Sequence, residues 1–331
     1  MTAGFTNNMT LGNFTLNGKP LPTDWTQAII NIFIQRTMMG VDTLTMQLSD
    51  PQRLLLRQIV KPGATVTVDG LSFTLVQFMK ASDQLQLVME STGVHTMRNL
   101  SRGGMTYYHN NNAASAEVTQ FLAALAGPAG LQVSGPDYAT TWRKLVTTQQ
   151  QSQINFNGLV ALQQGTTTDP YENAWTAASR TASTVGWRMW ESNNIIYFGP
   201  DEYWLGNLTG GIPPINNAMG LGGKVPILQE FTQSIQLIDF DWDIGKAYSQ
   251  ATVTCMLDSF DFQVGEVVEL ANVGPASGYW LVAGIQRDFY MPQATLTLQV
   301  PMPFVSVFDP SSKPVSGFPL VPSSKLSGFL I

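Results

Sequence analysis

Two stretches of this sequence, far apart along the chain, carry the same order of alternating segments. That repeat limits the fold more than any other feature. The first runs Asp42-Thr-Leu-Thr-Met-Gln-Leu48, Gly63-Ala-Thr-Val-Thr-Val68, Phe73-Thr-Leu-Val76 and Gln84-Leu-Gln-Leu-Val88. The second runs Ala251-Thr-Val-Thr-Cys-Met-Leu257, Gly265-Glu-Val-Val-Glu-Leu270, Tyr279-Trp-Leu-Val282 and Ala294-Thr-Leu-Thr-Leu298. Apolar residues recur at every second position, the period of a strand with one buried face. Leu44, Met46 and Leu48 take one face, and Thr43, Thr45 and Gln47 the other. Thr252 and Thr254 hold similar places in the second stretch. Two such units in one chain can place three copies around one axis as six units, the way closed cyclic rings are generally built.

The remaining segments fit around these units. The expected fold is mainly β with inserted α+β: two similar barrel units with smaller helix-containing segments between them. Residues 1–25 read as an N-terminal arm, 26–98 as the first barrel and 99–168 as insert I. Residues 169–230 form insert II (a helix, a hairpin and a loop), 231–302 the second barrel and 303–331 an extended C-terminal arm. A helix over 51–60, capped by Asp50 with Pro51 at its first position, is expected to pack across the first barrel. Val118, Phe121, Leu122 and Leu125 mark a helix over 115–126. Asp169-Pro170 opens another, with Trp175, Ala178, Ala182 and Val185 on its stripe. A hairpin joins 187–190 to 195–198. Gly- and Pro-rich residues 206–230 read as a long loop.

Charged residues make up 12 % of the chain, half of the usual share of about 25 %. Thr, Asn, Gln and Ser supply the polarity instead, which suits a surface meant for protein contacts. Net charge is −6, and the 17 Lys and Arg form no run. Gripping nucleic acid needs clustered cations, so DNA is expected to pass without specific binding. Cys255 is the sole cysteine. It forms no intrachain disulfide and reads as a buried, inert thiol. No stretch approaches 18 apolar residues, so no membrane segment is expected. The first residues lack a secretion signal, so folding in a cytoplasm is expected.

The search for chemistry finds little. His95 and His109 are the two histidines; both are expected at the surface, and with one cysteine they make no ordinary metal site. Asp239, Asp241 and Asp243 share a strand face, with Ile238, Phe240 and Trp242 opposite. Three carboxylates suit a hard cation, but the calcium-loop pattern fails. A solvated or lumen-facing strip that repels phosphates is favoured. Glu191, Asp201 and Glu202 read as polar hairpin ends, not a glycosidase pair. Gly220-Leu-Gly-Gly-Lys224 lacks phosphate-loop spacing. Trp187, Trp190, Tyr203 and Trp204 suit a core or subunit interface, or a sugar-binding platform, one indole being expected buried and one exposed. No enzyme activity, catalytic residue, metal or cofactor is expected. The candidates for a lumen-lining or subunit-facing surface are Thr43, Thr45, Gln47, Asp239, Asp241, Asp243, Thr252 and Thr254.

Four segments resemble a known family. They are Asp42-Thr-Leu-Thr-Met-Gln-Leu-Ser-Asp-Pro-Gln-Arg-Leu-Leu-Leu56; Asn173 to Glu191 followed by Ile195-Ile-Tyr-Phe-Gly-Pro200; Ile238-Asp-Phe-Asp-Trp-Asp243; and Gly278-Tyr-Trp-Leu-Val282 with Ala294-Thr-Leu-Thr-Leu298. In order and spacing they are similar to phage tail baseplate-hub proteins, especially the minor tail proteins of long-tailed phages of actinobacteria. The resemblance implies two tube-like β-barrel domains flanking small α/β insert domains, and a homotrimeric hub in the virion's tail tip, assembled in the host cytoplasm. It also implies partners: a distal tail or tube ring above, a tape-measure protein in the lumen, and tip or fibre proteins below. The alternatives are a hexameric distal tail or tube ring protein and a carbohydrate-binding tail-tip protein.

Overall fold

A computed structural model describes residues 14–301, except 39, 53, 58–62, 101–105, 108–121, 124, 137–165, 168–172, 186, 207–210, 230–234, 244–247, 258–261 and 290–292. The first elements are β1 (Thr15–Leu16), β2 (Lys19–Pro20), α1 (Thr23–Ala28), β3 (Ile29–Thr37) and β4 (Thr43–Ser49). After them come α2 (Leu54–Arg57), β5 (Thr65–Val68), β6 (Leu71–Ala81) and β7 (Gln84–Ser91). Alternation decides the packing. Leu44, Met46 and Leu48 of β4 and Leu85, Leu87 and Met89 of β7 are buried in one core, while Thr43, Thr45 and Gln47 stay half-buried on the other face.

Residues 14–25 do not form an arm. Asn17-Gly18, both at positive φ, turn β1 into β2, and β1 pairs with β5. Phe14 and Trp25 are buried in this unit's own core; at roughly 25 cal/mol per Å² of apolar surface, two aromatics hold the segment at home. Asp50 does cap α2, its Oδ1 accepting the Leu55 N–H at 3.1 Å. Pro51, however, lies in the turn ahead of the helix, and positions 58–60 fall outside the described residues.

The insert begins with α3 (Thr92–Asn99), a helix that sequence patterning misses. It follows β7 with no break and no side-chain cap. Its Gly93 has a physical reason: a Cβ there would lie 2.8 Å from Leu131 Cδ2 and 3.0 Å from Glu191 Cδ. Next come β8 (Thr106–Tyr107), β9 (Gln132–Ser134), β10 (Thr166–Thr167), α4 (Ala174–Val185), β11 (Arg188–Ser192) and β12 (Ile195–Gly199). Asn173 caps α4, its Oδ1 accepting the Thr176 N–H at 2.9 Å; Asp169-Pro170 lies outside the described residues. Asn193-Asn194, both at positive φ, close the β11–β12 hairpin, a tighter turn than the expected four residues. Trp175, Ala178 and Ala182 are buried with Leu122 and Leu125. The remainder of the helix expected over 115–126 is outside the described residues, save for position 123 and Ala126, and so is His109. His95 sits on α3, three-quarters buried, its Nδ1 3.0 Å from Glu90 Oε1, so it is less a surface residue than expected.

The stretch expected as a long loop is partly structured. It contains α6 (Pro214–Ala218), preceded by α5 (Asp201–Trp204), and β13 (Ile227–Leu228). The buried Asn216 ties it down. Its Nδ2 donates to Val267 O at 2.9 Å and its Oδ1 accepts the Val267 N–H at 2.9 Å, like a rung of a ladder. One buried amide does this, so no periodicity betrays it.

The second unit comprises β14 (Ile235–Asp243), β15 (Tyr248–Leu257), β16 (Val267–Leu270), β17 (Gly278–Asp288) and β18 (Gln293–Pro301). Its strand order, β14-β15-β18-β17-β16, repeats β3-β4-β7-β6-β5 of the first unit. The irregularities repeat too. The ladder β3–β4 shifts register between Ile29 and Asn31, and β14–β15 between Leu237 and Asp239. The ladder β6–β7 shifts between Leu75 and Gln77, and β17–β18 between Val282 and Gly284. Gly63 and Gly265 precede the matching strands β5 and β16, both with φ +89°. Bulges are built features of a fold, so two of them at matching places mark a duplicated unit. The registers also refine the sequence alignment. Leu44 corresponds to Ala251, Phe73 to Trp280 and Gln84 to Gln293, whereas matching by residue type alone slips by one or two positions.

The two units share one sheet. The end of β17 pairs antiparallel with β3, from Gly284 opposite Thr37 to Asp288 opposite Phe33, giving a sheet of 13 strands over two separate cores. The fold is thus mainly β with a small helical insert.

Candidate channel face and interdomain clamp

Residues opposite one another in neighbouring strands share a face, so the registers trace one face across the whole sheet. One row runs Asp239, Thr254, Thr295, Gln286, Gln35, Thr43 and Glu90. A second runs Asp241, Thr252, Thr297 and Gly284. A third runs Asp288, Phe33, Thr45, Val88 and Gln77, and a fourth Asn31, Gln47, Gln86 and Met79. Asp243 stands opposite Gln250. All eight residues singled out in the sequence therefore belong to a single face, drawn from both units. Among the described residues, these rows carry acids, neutral polar groups, Gly284 and the apolar Phe33, Val88 and Met79, and no strand position in them is Lys or Arg; Arg98 of α3 pairs with Glu90 at the end of the first row. The Lys80 and Arg287 positions stand opposite Leu85 and Ala294, on the other side. Sequence patterning reached β4, β14 and β15 but missed Gln35, Gln286, Thr295 and Thr297, which follow only once strand neighbours are known.

The second feature is a set of buried charges where the two units meet the insert. Arg36, 1 % exposed, pairs with Asp42 at 3.1 Å. It also donates to Ser192 Oγ at 2.6 Å and to Gln263 Oε1 at 3.3 Å. One guanidinium thus joins β3, the insert hairpin and the second unit. Burial pushes the Asp42 carboxyl up, and Arg36 together with the Thr37 N–H pulls it back. Arg188 does the matching work on the hairpin's first strand. It forms an ion pair with Asp201 and donates to Gln299 Oε1 at 2.8 Å. Glu191, expected at a polar hairpin end, is instead buried, accepting from the Ser91 hydroxyl and from the Asn194 N–H.

Burial raises the Glu191 pKa, only partly offset by those hydrogen bonds and by Arg36. The sign follows from linkage. Below the ordinary glutamate value of about 4.3, folded and unfolded chains both hold the proton and the group costs nothing. As pH rises through the raised folded value, the unfolded chain sheds the proton more readily, and stability falls. Glu191→Gln is therefore expected to raise Tm at neutral pH and to flatten the pH dependence above about 4.3, as checked by thermal melts from pH 4 to 8.

The tryptophans form no platform. Trp190 is 1 % and Trp204 0 % exposed, packed edge to face at 4.7 Å between centroids, with Tyr197 stacked on Trp190 at 5.2 Å. Trp187, expected to split with Trp190 between core and solvent, is half-buried against the insert core. Both faces of the β11 strand are covered: Met189 enters the insert core and Trp190 the core of the second unit. Cys255 is buried, its thiol pushed up to about 12 by desolvation. Among the described residues, no helix is long and apolar enough to cross a membrane.

No protein-family model and no curated protein matches the sequence. Solved structures do match the fold. Prophage tail protein gp18 from Listeria monocytogenes EGD-e superposes with a TM-score of 0.51 at 10 % identity, over 87 % of this chain and 94 % of that one. The 43 kDa tail protein of prophage MuSo2 from Shewanella oneidensis gives 0.53 at 9 %, over 87 % and 96 %. The Escherichia coli c3393 protein is described as a type VI secretion component similar in structure to the T4 tail proteins gp27 and gp5. It gives 0.52 at 11 %, over 87 % and 76 %. This chain shares the fold of phage tail proteins.

Proposed function

We propose that the protein is a structural, non-enzymatic hub subunit of a phage tail tip, and that three copies close a pseudo-sixfold ring around the DNA channel. The observation that carries this is the duplicated unit, matched in strand order and in both bulges, with one face whose traced strand positions hold no Lys or Arg running across both copies of it. Strand positions dominated by Thr, Gln, Asn and acids, with no Lys or Arg among them, give a polyanion little to bind, which suits passage of DNA. The fold shared with tail proteins supports the same reading. On this reading a distal tail or tube ring lies above, tip or fibre proteins lie below, and the tape-measure protein occupies the lumen.

The test is native mass spectrometry of the assembled ring. Three copies are expected. Six copies would replace the trimer with a hexameric distal or tube ring. A glycan-binding role for the tryptophan cluster would require Trp190 and Trp204 at the surface, and both are buried.

A further inference from the structure

Resting on that ring, the duplicated register also specifies how copies join: we infer that the end of β6 of one copy pairs antiparallel with β14 of the next, repeating the internal β17–β3 junction. The bulges fix the equivalences. Leu75 and Gln77 flank one, Val282 and Gly284 the other. Phe78 thus corresponds to Ile285, Met79 to Gln286, Lys80 to Arg287 and Ala81 to Asp288. By the same argument β3 maps onto β14, with Phe33 in the place of Asp241, Ile34 of Trp242 and Gln35 of Asp243.

The two members of each pair differ in one respect. The end of β17 is hydrogen-bonded on both sides, to β18 and to β3. The end of β6 is paired with β7 alone, and β14 with β15 alone, among the described residues. Side chains tell the same story. Ala283 and Ile285 are 6 % and 2 % exposed at the internal junction, whereas their counterparts Val76 and Phe78 are 44 % and 47 % exposed. Met79 beside them is 41 % exposed. An unpaired strand end carrying exposed apolar residues recruits another strand, and the complementary edge in this chain is β14. Because the donor and acceptor edges are different strands, the contact is head to tail, and it closes only as a ring. The inherited register sets Met79 opposite Asp243, Lys80 opposite Trp242 and Ala81 opposite Asp241.

Cysteine pairs test this on the full chain, because the only native thiol, Cys255, is buried. Under mild oxidation, Ala81→Cys with Asp241→Cys is expected to give intermolecular species as the major product on non-reducing gels. Lys80→Cys with Asp241→Cys, one position out of the inherited register and so on alternate faces of the sheet, is expected to give at least fivefold less. Phe78→Asp is expected to leave the monomer's Tm within a few degrees and to weaken self-association at least tenfold. A trimer by native mass spectrometry that fails to cross-link through positions 81 and 241, or cross-links equally through 80 and 241, overturns the strand pairing and leaves the ring standing. A chain that stays monomeric at every concentration overturns both.

Discussion

Arg36→Ala is expected to destabilise the protein by about 3–5 kcal/mol, the usual consequence of leaving one member of a buried ion pair alone. Asp42 is 5 % exposed and keeps only the Thr37 N–H at 3.0 Å once the guanidinium is gone. Ser192 and Gln263 lose their shared donor at the same moment, so the first unit, the insert hairpin and the second unit come apart at a common point. The loss should therefore appear both as a lower urea midpoint and as earlier proteolysis near the hairpin. The pair Arg36→Met with Asp42→Leu should recover more than half of the stability, since it removes both charges and keeps the volume. A double variant as unstable as Arg36→Ala would place the cost in packing instead of in the orphaned carboxylate.

Gly265→Ala is the second large effect, and the duplication supplies its own control. Gly63 and Gly265 hold equivalent places with the same φ of +89°, so the backbone penalty of a Cβ, about 1–2 kcal/mol, is common to both. Their surroundings differ. A Cβ on Gly63 meets nothing within 4 Å, whereas one on Gly265 lies 2.6 Å from Trp190 Cζ2 and 3.1 Å from Ile215 Cγ1. Overpacking a filled core costs about 1–3 kcal/mol. Gly63→Ala is thus expected to cost about 1–2 kcal/mol and Gly265→Ala about 2–5 kcal/mol, by chemical denaturation of each. Equal losses would show that Trp190 has room to move.

Alternation made the β portion legible. Thr43, Thr45 and Gln47 separate from Leu44, Met46 and Leu48 on period alone, and the repeat of Gly63-led and Gly265-led strands marks the duplication in the sequence itself. What stayed hidden was set by contacts distant in sequence. The pairing of β17 with β3 depends on which edges are left open, not on any local signal. The hairpin at 188–199 reads as an ordinary two-faced hairpin, yet it is buried on both sides because two cores meet there. Its acid, Glu191, looks like a solvated turn residue for the same reason. Asn216 organises a Gly-rich stretch through three hydrogen bonds that no pattern encodes.

Electron-microscopy class averages of the purified ring, viewed down its axis, test the pseudo-sixfold arrangement. Six similar lobes around a channel with true threefold symmetry are expected, the junctions between lobes alternating between those within a copy, which carry the insert, and those between copies, which do not. A ring of six identical lobes, or particles with no channel, would contradict it.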